Sequence, residues 1–169
     1  AGIARVLLVR NDNIGDLVCS IPAIQLVRRE FPAARLDLLV NSYNAPVVAP
    51  LVPQWVDRLV VYRKTKHAGW SLRQGGHLAA FYFRLRSVRY DLVILLGGGF
   101  ARQARALARW TGAPRVIGYG VGMEGPPFEE GRHEVEYSWE LAAWACGRKE
   151  PPPTEIQYPI RTAGTRVGI

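Results

Sequence analysis

Apolar and polar positions change period along this chain in a repeating order. Residues 5–10, Arg-Val-Leu-Leu-Val-Arg, form a short apolar run that predicts a buried first strand. Residues 16–30 switch to helical spacing, with Leu17, Ile21, Ile24 and Val27 on one face. Pro22 falls inside that run, and proline is tolerated only in a first turn, so the pattern predicts one short turn after Gly15 and then a kink or restart capped by Ser20. Phe31-Pro32 ends the helix. Residues 36–40 read as a second strand, 44–51 as a short helix and 58–62 as a third strand.

Residues 63–76 are polar, basic and glycine-containing and predict a loop, followed by a helix over 77–87. The nearly unbroken apolar run 91–96 reads as a central parallel strand. Gly97-Gly98-Gly99 leads into a helix over 101–110 with Arg102, Arg105 and Arg109 on one side. A strand over 115–119, a loop over 120–132 and a helix over 134–145 complete the rhythm. Repeated strand–helix units imply right-handed crossovers and an α/β fold, a Rossmann-like three-layer parallel sheet covered on both faces. Residues 147–159 are rich in proline and charge and read as a linker, and 166–169 read as the start of another strand. The expected organisation is therefore a domain over 1–147, then a linker and the opening of a second domain over 148–169.

Length and apolar content suit one sizeable core. No apolar run approaches the roughly 20 residues that span a bilayer, and the chain opens into a strand without a leader pattern. Cys19 and Cys146 give neither metal spacing nor a disulfide framework, so a reducing cytoplasm is expected. Twenty-two Lys and Arg against 14 Asp and Glu give a net charge of +8, and only Lys64, Lys66 and Lys149 are lysines. Genomic base composition accounts for the Arg-to-Lys ratio. It accounts less well for the surplus charge, which points to an anionic partner: phosphorylated lipid, acidic sugar or nucleic acid.

Three segments carry candidate chemistry. Gly15-Asp16 lies where the first strand hands over to the first helix, and the carboxyl edge of an open parallel sheet is where small molecules bind. Glycine permits a sharp turn and close approach, and an Asp at a helix N-terminus is stabilised as an anion. From the residues alone, Asp16 is a cap more readily than a catalyst. Arg63-Lys64-Thr65-Lys66-His67 follows the third strand and shares that edge if the sheet is parallel; such a run is either solvated or anion-binding. Gly97-Gly98-Gly99 with Arg102 is either a tight turn or an anion-binding nest, with equal support for each. Gly120 to Gly125 fits the pattern G-x-G-x-x-G but lies late and runs into Pro126-Pro127, so it is no dinucleotide fingerprint. His67, His77 and His133 are too scattered for a metal site.

The ordered set of segments resembles glycosyltransferase family nine, the ADP-heptose:lipopolysaccharide heptosyltransferases. The matching residues are Val6-Leu7-Leu8-Val9-Arg10, the turn Asp12-Asn13-Ile14-Gly15-Asp16, Ser20-Ile21-Pro22-Ala23-Ile24 and Phe31-Pro32-Ala33-Ala34. Tyr90-Asp91-Leu92-Val93-Ile94, the stretch from Thr111 to Tyr119 and His133-Glu134-Val135-Glu136 follow in the same order. The resemblance implies the N-terminal, acceptor-binding half of a two-domain GT-B enzyme, with the nucleotide-sugar bound mainly by the other half. It implies an inverting transfer of heptose or a related sugar, with Asp16 as general base and no metal or cofactor. It also implies acceptor contacts from Arg63, Lys64 and Lys66, and their position at the same edge makes Asn13, Gly15, Gly98, Gly99 and Arg102 further candidates for acceptor binding.

The implied partners are a nucleotide-sugar donor and an anionic glycolipid or lipopolysaccharide-core acceptor. The implied location is cytoplasmic, peripheral at the inner membrane, with Trp55 and Trp70 as exposed apolar rims. The rival is a non-catalytic basic module of the same fold that binds an anionic glycan or nucleic acid. A nucleotide-dependent oxidoreductase is disfavoured by the missing glycine fingerprint after the first strand.

Overall fold

A computed structural model describes residues 2–62, 72–97, 102–120 and 122–158. Among these residues five strands form one parallel sheet: β1 (Arg5–Val9), β2 (Arg35–Asn41), β3 (Arg58–Tyr62), β4 (Leu92–Leu95) and β5 (Arg115–Ile117). Their order is β3-β2-β1-β4-β5. β1 pairs with β2 from Arg5↔Arg35 to Val9↔Leu39 and with β4 from Val6↔Leu92 to Val9↔Leu95. β1 is therefore central, and the connection order reverses beside it. That reversal opens a crevice at the carboxyl ends of β1 and β4.

Both faces of the sheet are covered. Val6, Leu8, Leu36, Leu38, Leu92 and Ile94 point into the larger core, under α1 (Ile14–Cys19), α2 (Ile21–Glu30) and α6 (Glu134–Cys146). Leu7, Val9, Leu39, Val93 and Leu95 point the other way, under α4 (Leu72–Ser87) and α5 (Arg102–Thr111). This period-2 split of near-continuous apolar runs is what burial on both faces demands. The α3 turn (Ala45–Val48) follows β2.

The restart near Pro22 is found. α1 ends at Cys19, α2 begins at Ile21, and the proline sits in the first turn of α2. Ser20 does not cap α2 with its side chain, however; its hydroxyl donates back to the Asp16 carbonyl at 2.9 Å. α4 also differs from expectation. It begins at Leu72, so residues 72–76 are helix and not loop. The sequence hides that start because Arg73-Gln74-Gly75-Gly76 is polar and glycine-rich and carries no apolar stripe. Trp55 is not an exposed rim: it is half-buried against the larger core, and its carbonyl accepts from Arg28 Nε at 3.2 Å. Trp70 lies outside the described residues.

The stretch after α6 lies against the domain. The Trp139 indole donates to the Glu150 carbonyl at 2.7 Å, Gln25 Nε2 donates to the Gln157 carbonyl at 2.9 Å, and the Tyr158 hydroxyl donates to the Val47 carbonyl. No described helix is long and apolar enough to cross a membrane.

Candidate functional site at the switch point

The last apolar residue of β1 is followed by Arg10, whose side chain is 1% exposed. Its Nη1 donates to the Leu96 carbonyl just past β4. Its Nη2 lies 2.6 Å from Glu134 Oε2 and 3.9 Å from Asp16 Oδ2, and its Nε lies 3.1 Å from Asp12 Oδ1. One buried guanidinium thus gathers three carboxylates from the β1–α1 turn and the start of α6. The Nε contact is close in distance but not aligned as a hydrogen bond. Gly97 makes this packing possible, because a Cβ there would stand 2.4 Å from Arg10 Nη1.

The β1–α1 turn is pinned from its other side. Asn44 Nδ2 and the Tyr43 hydroxyl both donate to the Asp12 carbonyl, at 2.8 and 2.6 Å, and Asn41 Nδ2 donates to the Asn11 carbonyl. Asp12 is raised above the ordinary carboxylate value because burial strips its water, an effect that Arg10 opposes. Cys19 is raised too, by burial first and then by the nearby Asp16 charge.

Asn13 is the N-cap residue of α1 and Asp16 lies in its first turn. Among the described residues the Asp16 carboxylate accepts one long hydrogen bond, from Asn13 Nδ2 at 3.4 Å. It is 31% exposed, neither turned into the core nor free of the protein. Gly15 sits inside α1 without a left-handed backbone, so it makes no sharp turn; open space lies where its Cβ would be. Asn13, Gly15 and Asp16 therefore share one helical turn beside Arg10.

The small cavity at this edge is lined by Arg10, Asp12, Gly97, Arg105, Tyr119 and Met123, among others, and Asp16 stands outside its wall. Arg102 opens α5 and is exposed. Arg63, Lys64, Lys66, Gly98 and Gly99 lie outside the described residues. Since β3 is parallel to β2, Tyr62 does end at the same edge as Asp16. The described part of the 120–125 stretch is irregular apart from a single β-bridge between Glu124 and Ile117, a Cβ at Gly125 would stand 2.5 Å from the Gly118 carbonyl oxygen, and the helix that follows starts only at Glu134.

Sequence reasoning did not single out Arg10 or Glu134. The signal for Arg10 was a charge ending a run of four buried apolar residues. For Glu134 it was a capping box: His133 Nδ1 accepts from Val135 N at 3.3 Å, and Glu136 Oε2 accepts from His133 N at 2.8 Å. That box fixes where α6 begins and so aims Glu134 at Arg10. Among the described residues, no group of His, Cys, Asp and Glu is arranged to hold a metal ion.

This is a Rossmann-like parallel domain of the kind carried by GT-B glycosyltransferases. It superposes on E. coli heptosyltransferase WaaC with ADP-2-deoxy-2-fluoro heptose at a TM-score of 0.72 and 22% identity, covering 90% of this chain and 51% of that one. It also superposes on a glycosyl transferase family 9 protein from Veillonella parvula at a TM-score of 0.63 and 15% identity, covering 83% of this chain and 40% of that one. In sequence, 158 residues are 28% identical to Lipopolysaccharide heptosyltransferase 1 of Pseudomonas aeruginosa, covering 83% of this chain and 42% of that protein. No family model matches the chain. The resemblance to glycosyltransferase family nine is borne out in sequence and in fold, and the chain spans about half the length of these relatives.

Proposed function

We propose that this domain is the acceptor-binding half of an inverting glycosyltransferase that moves heptose, or a related sugar, from a nucleotide-sugar to a lipopolysaccharide-type acceptor. The observation that carries the reading is the Asp16 carboxylate at the switch point. It is held beside Arg10 yet is engaged by only one long hydrogen bond among the described residues. A carboxylate so placed has lone pairs available to an incoming hydroxyl.

In this mechanism Asp16 takes the proton from the acceptor hydroxyl. The oxygen then attacks the anomeric carbon from the face opposite the leaving group. The new glycosidic bond forms as the bond to the diphosphate breaks, and configuration inverts. Arg10 stays buried and keeps the three carboxylates from repelling one another. Asn13 and the open space beside Gly15 would receive the acceptor sugar, and Arg102 would meet its negative charge. The reading places the work in the cytoplasm, with no metal or cofactor taking part.

The test is turnover of ADP-heptose with a lipopolysaccharide-core acceptor by the complete polypeptide and its Asp16→Asn variant. A loss of about 10²–10⁴-fold in kcat with the fold intact is expected for a missing general base. An Asp16→Asn variant that turns over at the parent rate overturns the base assignment. Binding of acceptor without any turnover by the parent would favour the non-catalytic module.

A further inference from the structure

Between Asp57 and Glu124 the chain holds twelve Lys and Arg and a single acid, Asp91, while the rest holds ten basic and thirteen acidic residues. That one acid is occupied elsewhere: Asp91 Oδ2 accepts from the backbone of Ala4 and Arg5 at 2.9 and 2.8 Å. The fold gathers much of this segment into one layer, because among the described residues α4 and α5 are the helices that cover this face of the sheet. Neither helix contains an acidic residue.

The same layer leaves large apolar surface exposed. Phe83 is 75% exposed, Trp110 50% and Leu78 44%. From residue 76 to the end of α4 only Leu85 is buried. Phe83 and Trp110 belong to one patch. Arg86, one turn beyond Phe83, donates from Nη1 to the Trp110 carbonyl at 3.2 Å, and the Trp110 indole donates to the Tyr82 carbonyl at 3.0 Å. Arg84, Arg86, Arg89 and Arg109 around it are exposed.

We propose that the outer face of α4 and α5 docks on an anionic lipid bilayer, with Phe83 and Trp110 entering the interface and the surrounding arginines meeting phosphate headgroups. Aromatic side chains set among cations suit a surface that offers hydrocarbon beneath negative charge. Nucleic acid would satisfy the arginines but gives Phe83 nothing to bury in unless bases are unstacked onto it. A second copy would bring two acid-free cationic layers together. The patch lies on the sheet's flank, away from the carboxyl edge where Asp16 stands, so docking leaves that edge open. The proposal deepens the reading above, which requires a lipid-linked acceptor, but its test measures binding and not transfer, so either can fail alone.

The experiment is vesicle flotation of the complete polypeptide with phosphatidylcholine alone and with about a third phosphatidylglycerol. Parent protein should favour the anionic vesicles by about tenfold, and Phe83→Ser and Arg84→Glu should each lose most of that binding. Both positions are exposed, and melting curves matching the parent confirm that the variants fold. The proposal is overturned by equal binding to the two vesicles, or by parent-like flotation of both variants. Preferential capture of an RNA duplex that is insensitive to Phe83→Ser would also overturn it, as would a dimer that Phe83→Ser splits.

Discussion

The guanidinium of Arg10 donates to Glu134 Oε2 at 2.6 Å and ties the end of β1 to the first turn of α6, 124 positions away in the chain. The same side chain donates to the Leu96 carbonyl beyond β4, so it also bridges the ends of β1 and β4 at the sheet's carboxyl edge. Three elements therefore share one buried cation.

Replacing Arg10 by Met keeps most of its volume and removes the charge. Asp12, Asp16 and Glu134 would then face one another without a counter-ion. The loss should be about 2–3 kcal/mol, below the roughly 3–5 of a fully buried pair because the carboxylates keep some contact with water. Urea unfolding of the variant measures it, and stability equal to the parent would show that the cluster is held by something else.

Gly97→Ala acts on the same bond from the other side. The new methyl would stand 2.4 Å from Arg10 Nη1 and 3.8 Å from Asp12 Oδ2. The end of an arginine usually moves aside at little cost, but this one is buried and tied to Leu96 and Glu134. The expected destabilisation is about 1–3 kcal/mol, the range for overpacking a filled site. A melting temperature unchanged from the parent would mean that the guanidinium has another place to go.

Much of the fold was legible because strand-length apolar runs alternate with helical spacing, and that pattern admits few architectures. β1 through β5 lie where the runs lie, within one or two residues at the ends. The site was only half legible. Asp16 shows at the sequence level because it sits in the first βα turn, whereas Arg10 looks like the polar end of a strand. Its role depends on Glu134 and Leu96, which only the folded sheet brings near. The same holds for Asp37, wholly buried in β2 and satisfied by Arg35 Nε at 3.2 Å, Arg58 Nη2 at 2.8 Å and the Tyr90 hydroxyl at 2.7 Å. Its partners come from three strands or their approaches, so no local pattern names them. Trp55 was misread for the converse reason: an aromatic in a polar turn looks exposed until the fold packs it against the larger core.

The two cysteines should differ in reactivity. Burial, with Glu30 adding, pushes the Cys146 thiol up to about 12 from an ordinary 9.0. At pH 8 its thiolate fraction falls about a thousandfold, and the greater intrinsic nucleophilicity of a high-pKa thiolate offsets part of that. Alkylation by iodoacetamide should therefore run about thirty- to sixtyfold slower at Cys146 than in unfolded protein. Mass spectrometry of the labelled peptides against time decides it; equal rates in folded and unfolded protein would remove the shift.

Asp12 carries a pH dependence of definite sign. Burial raises its folded-state value above 3.8, so the folded protein binds the proton more tightly than the unfolded chain does. Below 3.8 both states hold the proton and the group contributes nothing adverse. As pH rises through the folded value, the carboxyl must ionise where water is scarce, and stability falls. Asp12→Asn carries no charge to desolvate and should be flat across that window. The variant should therefore melt higher than the parent at pH 7, and its advantage should vanish near pH 3. Melting temperatures of both proteins at several pH values across this range test it. If the variant melts lower at pH 7, attraction between Asp12 and the Arg10 guanidinium at 3.1 Å outweighs the lost hydration, and the carboxylate is a net support of the switch point.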